Sequence, residues 1–111
     1  MRSDVDAGTY PEQLNLPGDD DGHVDLDALL AALGERGVVS VLLEGGPRLA
    51  GAFVRSGLVD RVVGYVAPAL LGAGPTALDD AGVGTISGMH RLRLDDMTRT
   101  GDDVRLTMRR P

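Results

Sequence analysis

The sequence predicts an α/β domain, a parallel βαβ core that carries a C-terminal antiparallel hairpin in one mixed sheet. Three observations lead there. Apolar residues recur at helical spacing in two short segments; two compact, β-branched runs follow those segments; and the C-terminal end alternates apolar with polar residues around a glycine turn. A chain of 111 residues suits one such domain.

Residues 1–22, "MRSDVDAGTYPEQLNLPGDDDG", combine Pro11, Pro17, Gly18 and the acidic run Asp19 to Asp21 with little to bury, and read as a disordered or loop-like segment. The acidic triplet lacks the spaced ligands of a cation site and reads as solvated surface. The folded domain is expected over residues 23–111. Leu26, Leu29, Leu30 and Leu33 fall at i, i+3, i+4 and i+7, with Asp25 placed to cap a helix and Gly34 or Gly37 to stop it. Val38 to Leu43 is too short for a helix and has one polar interruption, Ser40, so it reads as a parallel strand buried on both faces. Pro47 suits a first helical turn, Leu49, Ala50, Phe53 and Val54 give that helix an apolar face, and Gly57 ends it. Arg61 to Ala67 is the next strand, closed by Pro68, and a glycine-rich loop follows. Leu92 and Leu94, then Val104, Leu106 and Met108, alternate on either side of Thr100-Gly101-Asp102, the signature of a hairpin.

Composition removes several functions. With no cysteine and two histidines far apart, the sequence supports neither a disulfide framework nor a metal site. No apolar run approaches a membrane span and no signal-like segment follows Met1, so a soluble, cytoplasmic protein is expected. Residues 1–37 hold nine acids against two arginines, whereas residues 38–111 hold eight acids and nine arginines. A net charge of −6 speaks against nucleic acid as a partner, while the near-neutral remainder can still hold a small anion. His23 and His90 have no partner spaced to make them catalytic, Asp60 reads as a cap or ion-pair residue, and Tyr65 and Phe53 read as core.

In open α/β sheets ligands bind where a strand ends and the next helix begins, the place of Glu44, Gly45 and Gly46. A helix start offers unpaired amides, here those of Gly46, Arg48 and Leu49, and glycines let an oxyanion approach the backbone. Arg48 adds charge, and Glu44 is an acceptor for ligand hydroxyls or amines. Each part also has a plain structural use: a tight turn, a dipole partner, a surface arginine. On spacing alone the segment is an anion site on an α/β domain or a turn.

The stretch "VSVLLEGGPRLAGAFVRSGLVDRVVGYVAPALLGAG" closely resembles the C-terminal half of the reductase domain of the bifunctional riboflavin-biosynthesis deaminase/reductase, of the dihydrofolate reductase-like superfamily. Glu44 to Pro47, Leu49 to Ala52, Gly57 to Asp60 and Ala67 to Gly72 match that family's pattern in order and spacing. The lead-in from Leu14 and the "GDDVRLTMR" hairpin fit as well. The resemblance implies a partial dihydrofolate reductase-like fold and an NADPH-dependent oxidoreductase, 5-amino-6-(5-phosphoribosylamino)uracil reductase. That enzyme converts the ribosyl group of 5-amino-6-ribosylaminouracil 5'-phosphate to ribityl. It also implies roles: Glu44 as the substrate-contacting acid; Gly45, Gly46, Pro47, Arg48, Leu49, Ala50, Gly51 and Ala52 against the NADPH phosphates; and Gly45-Gly46 as a pair that takes a cis peptide in related reductases. It assigns no catalytic residue here. Arg48 stands where the family usually has a small hydroxyl residue. The family's reductase domain is about twice as long, and the deaminase's zinc ligands have no counterpart here. A homodimer or a complementing chain is therefore implied; the alternative is a non-catalytic remnant, an NADPH-site or oligomerisation fragment.

Overall fold

The computed structural model describes Leu16, Gly18 and residues 23–111, and divides into two units, Met1–Leu42 and Leu43–Pro111. In the first unit, helix α1 spans Leu26–Glu35. Asp25 caps it from an extended backbone, its carboxylate accepting the Ala28 N–H at 3.1 Å, which satisfies one of the amides a helix start leaves unpaired. Leu29 is buried and Leu26, Leu30 and Leu33 are half-buried, so the apolar stripe is the covered one. Of the two candidate stops, Gly37 is the one used. It takes φ 82°, its N–H donates to the Gly34 carbonyl at 3.0 Å and the Val38 N–H to the Leu33 carbonyl at 3.1 Å, the paired bonds of a Schellman motif. Gly18 and Val24 form an isolated antiparallel bridge; otherwise the reading of residues 1–22 falls outside the described residues, apart from Leu16.

Val38 to Leu43 departs from expectation. It is not a buried parallel strand: no residue of it is in a strand, and Val39 and Leu42 are 99% and 81% exposed. The physical reason is that strand formation is a property of a ladder. An apolar, β-branched run specifies burial but supplies no partner, and no described strand runs beside this one. The parallel half of the expected mixed sheet is thus not formed among the described residues. The α/β class and the antiparallel C-terminal hairpin stand.

The second unit holds α2, Pro47–Arg55, then strand β1, Arg61–Val66, a 3-10 turn at Ile86–Gly88, and strands β2, Arg93–Thr100, and β3, Asp103–Arg109. Like α1, α2 ends in a Schellman motif, with Gly57 at φ 70° and N–H bonds from Gly57 to the Val54 carbonyl and from Leu58 to the Phe53 carbonyl, both 3.0 Å. The strands form one sheet in the order β1-β3-β2, with both ladders antiparallel. A two-residue turn, Gly101-Asp102, joins β2 to β3. Gly101 carries φ 62° at its first central position, where this loop length requires a positive φ. A bulge between Leu94 and Asp96 interrupts β2.

The register sorts side chains onto two faces. Val62, Met108 and Leu94 share one row and Gly64, Leu106 and Met97 the next, the apolar face expected from the alternation of Val104, Leu106 and Met108. The opposite face carries Arg61, Arg109 and Arg93, then Val63, Thr107 and Asp96, then Tyr65, Arg105 and Thr98. Tyr65 is therefore not a core residue. It lies on the polar face and is 60% exposed, because a period of two places it opposite Gly64 and Val66. Phe53, at 6% exposed, is core as expected, and with Leu29 at 7% it is one of only two buried hydrophobic side chains among the described residues. Arg110 ties the end of β3 back to the α2–β1 connection. Its N–H donates to the Asp60 carbonyl, and its guanidinium to the Gly57 and Val59 carbonyls at 2.8 and 3.0 Å and to the Asp60 carboxylate at 3.2 Å. Asp60 thus has the pairing role expected of it.

Candidate functional site

The residues from Glu44 to Ala52 lie together in the second unit, around the start of α2. Gly46 is the N-cap, with φ 96° and ψ 174°, a backbone that side chains rarely adopt, and its carbonyl accepts the Ala50 N–H at 3.0 Å. Pro47 occupies the first helical position, where its missing N–H costs nothing and its fixed φ suits the helix. No side chain caps this end, so the amides of Arg48 and Leu49 are the donors left at the positive end of the helix dipole. Glu44, Gly45, Gly46 and Arg48 are all exposed, and the Arg48 side chain makes no hydrogen bond or ion pair with any described residue.

Glycines at this turn have different uses. A Cβ at Gly46 would meet nothing within 4 Å, so the space over the helix start is open. At Gly45 a Cβ would lie 2.7 Å from Leu49 Cδ2, so this glycine lets Leu49 fold back over the turn. The expected cis peptide is not found: no described peptide bond is cis, and the chain enters the helix through the positive φ of Gly46 instead.

The far side of α2 holds what spacing did not reveal. Gly51 is buried, and a Cβ there would fall on the carbonyl oxygen of Asp79 and 2.8 Å from its carbonyl carbon. The Asp79 N–H donates to the Pro47 carbonyl at 3.1 Å. Arg55 Nη1 donates to the Asp80 carbonyl at 2.8 Å and pairs with the Asp80 carboxylate at 3.3 Å. Asp80, at φ 30°, accepts the Gly82 N–H at 3.3 Å, and the His90 ring bonds the Ala81 carbonyl at 2.8 Å. Residues 79–82 thus clasp α2 along its length, and His90 has a structural role. The signal in the sequence was Gly51 itself, since a glycine inside a helix costs stability unless something packs against it.

The site brings together one carboxylate, two free helix amides and one unpaired guanidinium beside an open glycine. That set suits an anionic oxygen cluster with hydroxyl or amine groups next to it. Its donors fit a dinucleotide phosphate. Among the described residues no cluster of His, Asp or Glu is arranged to hold a metal, and no helix is long and apolar enough to cross a membrane.

The family model described as "RibD C-terminal domain" matches residues 3–106. The chain belongs to the RibD C-terminal domain family. The match starts well before Leu14, where the motifs alone placed it. Among curated relatives, the riboflavin biosynthesis protein RibD of Mycobacterium tuberculosis (strain H37Rv) is 48% identical over 80 residues, covering 72% of this chain and 23% of the relative. RibD of Escherichia coli K12 is 34% identical over 111 residues, covering 93% of this chain and 29% of that protein. A solved structure of Acinetobacter baumannii RibD, form 2, superposes with a TM-score of 0.71 and 32% identity over 83% of this chain and 28% of that one. The chain thus spans about a quarter of the length of the RibD proteins it matches. The agreement in fold extends to the dihydrofolate reductase-like architecture expected of RibD reductase domains.

Proposed function

We propose that this chain is the C-terminal part of a riboflavin-biosynthesis reductase, which reduces the ribosyl group of 5-amino-6-ribosylaminouracil 5'-phosphate to ribityl with NADPH. The observation that carries the reading is the family match over residues 3–106, which includes Glu44 to Ala52 at the turn into α2. NADPH, when bound, supplies the hydride. The chain's own part is to bind and orient. The Arg48 and Leu49 amides and the Arg48 guanidinium, beside the open Gly46, would hold the cofactor phosphate; Gly45 and Pro47 shape the turn, and Ala50 to Ala52 carry the helix behind it. Glu44 holds a substrate hydroxyl or amine. Correct placement of hydride donor and acceptor accounts for much of the rate in such reactions.

The remaining strands and pocket walls come from a second polypeptide segment or a second copy of the chain, in the cytoplasm. Support comes from the exposed apolar residues Val38, Val39, Val41 and Leu42, which leave surface for other strands to cover. That only Leu29 and Phe53 are buried hydrophobic side chains among the described residues favours the alternative, a non-catalytic remnant. NADPH calorimetry on the purified chain, with its mass in solution recorded in the same sample, separates the two. Saturable binding, alone or after addition of the N-terminal part of a RibD reductase domain, is the expected result; no binding in either case overturns the reading.

A further inference from the structure

Across the polar face of the sheet, Arg61 of β1, Arg109 of β3 and Arg93 of β2 stand directly opposite one another, so three guanidinium groups share one row. With strands about 4.8 Å apart, the row is about 10 Å from end to end. The neighbouring acids are already engaged. Asp95 accepts Arg109 Nε at 2.9 Å, Asp96 takes the Thr98 hydroxyl at 2.6 Å and Arg105 at 3.9 Å, and Asp60 pairs with Arg110. Arg61 and Arg93, the two ends of the row, make no side-chain hydrogen bond or ion pair with any described residue. Arg105, on the same face, keeps a buried Nε without a partner. Like charges placed directly opposite repel, yet a chain of net charge −6 concentrates them here.

We propose that this row is a binding site for a diphosphate-class anion laid across the three strands. Arg61 holds one phosphoryl group and Arg93 the other, and Arg109, fixed by Asp95, supplies the central charge. Arginine suits the task because its planar fork meets two phosphate oxygens at once and is not deprotonated. The length of the row favours two linked phosphoryl groups over one. The site lies wholly in the sheet and does not rest on the reading of the α2 start.

Calorimetric titration of inorganic pyrophosphate into the 111-residue chain tests it. Saturable pyrophosphate binding that depends on the arginine row is expected, weakening as salt is raised. R61Q/R93Q is expected to bind about tenfold more weakly or worse, the loss for removing charged hydrogen bonds, and R61K/R93K to recover part of it. Circular dichroism checks the fold of each variant; should the double variant unfold, R61Q and R93Q singly are each expected to weaken binding severalfold. Absence of saturable binding, or binding indifferent to every one of these variants, overturns the proposal. So does orthophosphate binding as tightly as pyrophosphate, which removes the diphosphate assignment. An oligoglutamate peptide that binds more tightly than pyrophosphate and is lost with the same arginines would make the row a polypeptide surface, and would equally overturn it.

Discussion

Gly51→Ala and Gly34→Ala make the same chemical change in two helices, and the structure expects opposite outcomes. At Gly34, in α1, a Cβ would meet nothing within 4 Å, so the substitution contributes the helix-propensity difference alone, a gain of up to about 1 kcal/mol. At Gly51 the same gain is opposed by a methyl that falls on the Asp79 carbonyl. Overpacking of this kind costs about 1–3 kcal/mol. If the loop moves away instead, the Asp79-to-Pro47 hydrogen bond goes, at about 1 kcal/mol, and with it the Arg55 contacts, which are half-exposed and count for a few tenths at most. The balance for Gly51→Ala is a loss of up to about 2 kcal/mol, local to α2. Amide hydrogen exchange reads it: the Phe53 and Val54 amides are expected to exchange about tenfold faster, while α1 amides in Gly34→Ala slow down. Slower exchange in α2 of Gly51→Ala would refute the clasp.

Three further outcomes are expected. Asp25→Ala removes the cap of α1 and should cost about 1 kcal/mol, read as faster exchange of the Leu29 and Leu30 amides, with Asp25→Asn close to neutral. In the assembled reductase, Glu44→Gln should cut kcat/KM with less effect on NADPH affinity; an equal loss in both would remove Glu44 from the substrate's side of the site. Gly46→Val is expected to weaken NADPH binding and fray the start of α2, since φ 96° is a backbone a β-branched residue avoids; unchanged NADPH affinity would count against the helix start as the phosphate site.

What was legible in the sequence was local. Asp25 and Gly57 act within a few residues of their own helices, and Gly101 within its own turn, so type and spacing were enough to place them; for α1 they narrowed the stop to Gly34 or Gly37, and the structure uses Gly37. The residues proposed for the site, Glu44 to Ala52, are contiguous, so the sequence itself keeps them together at the start of α2. The rest depends on distant partners. Val38 to Leu43 shows that an apolar run records a need for burial without recording who meets it. The partner of β1 proved to be β3, some forty residues on, and strand direction is not written in either strand alone. Gly51 hinted at a close neighbour, but nothing near it in sequence named Asp79.

The order β1-β3-β2 also has a consequence for timing. Within this sheet both outer strands hydrogen-bond only to β3, so β1 and β2 leave the ribosome before the partner they share. Until Asp103 to Arg109 has been synthesised neither of these ladders can form, and Tyr65, Val66, Leu94 and Met97 wait as partly apolar chain without it. Synthesis interrupted just before β3 would therefore yield a polypeptide with α1 and α2 encoded but without the β1-β3-β2 sheet, a substrate for chaperones or proteases rather than a shortened version of the same fold.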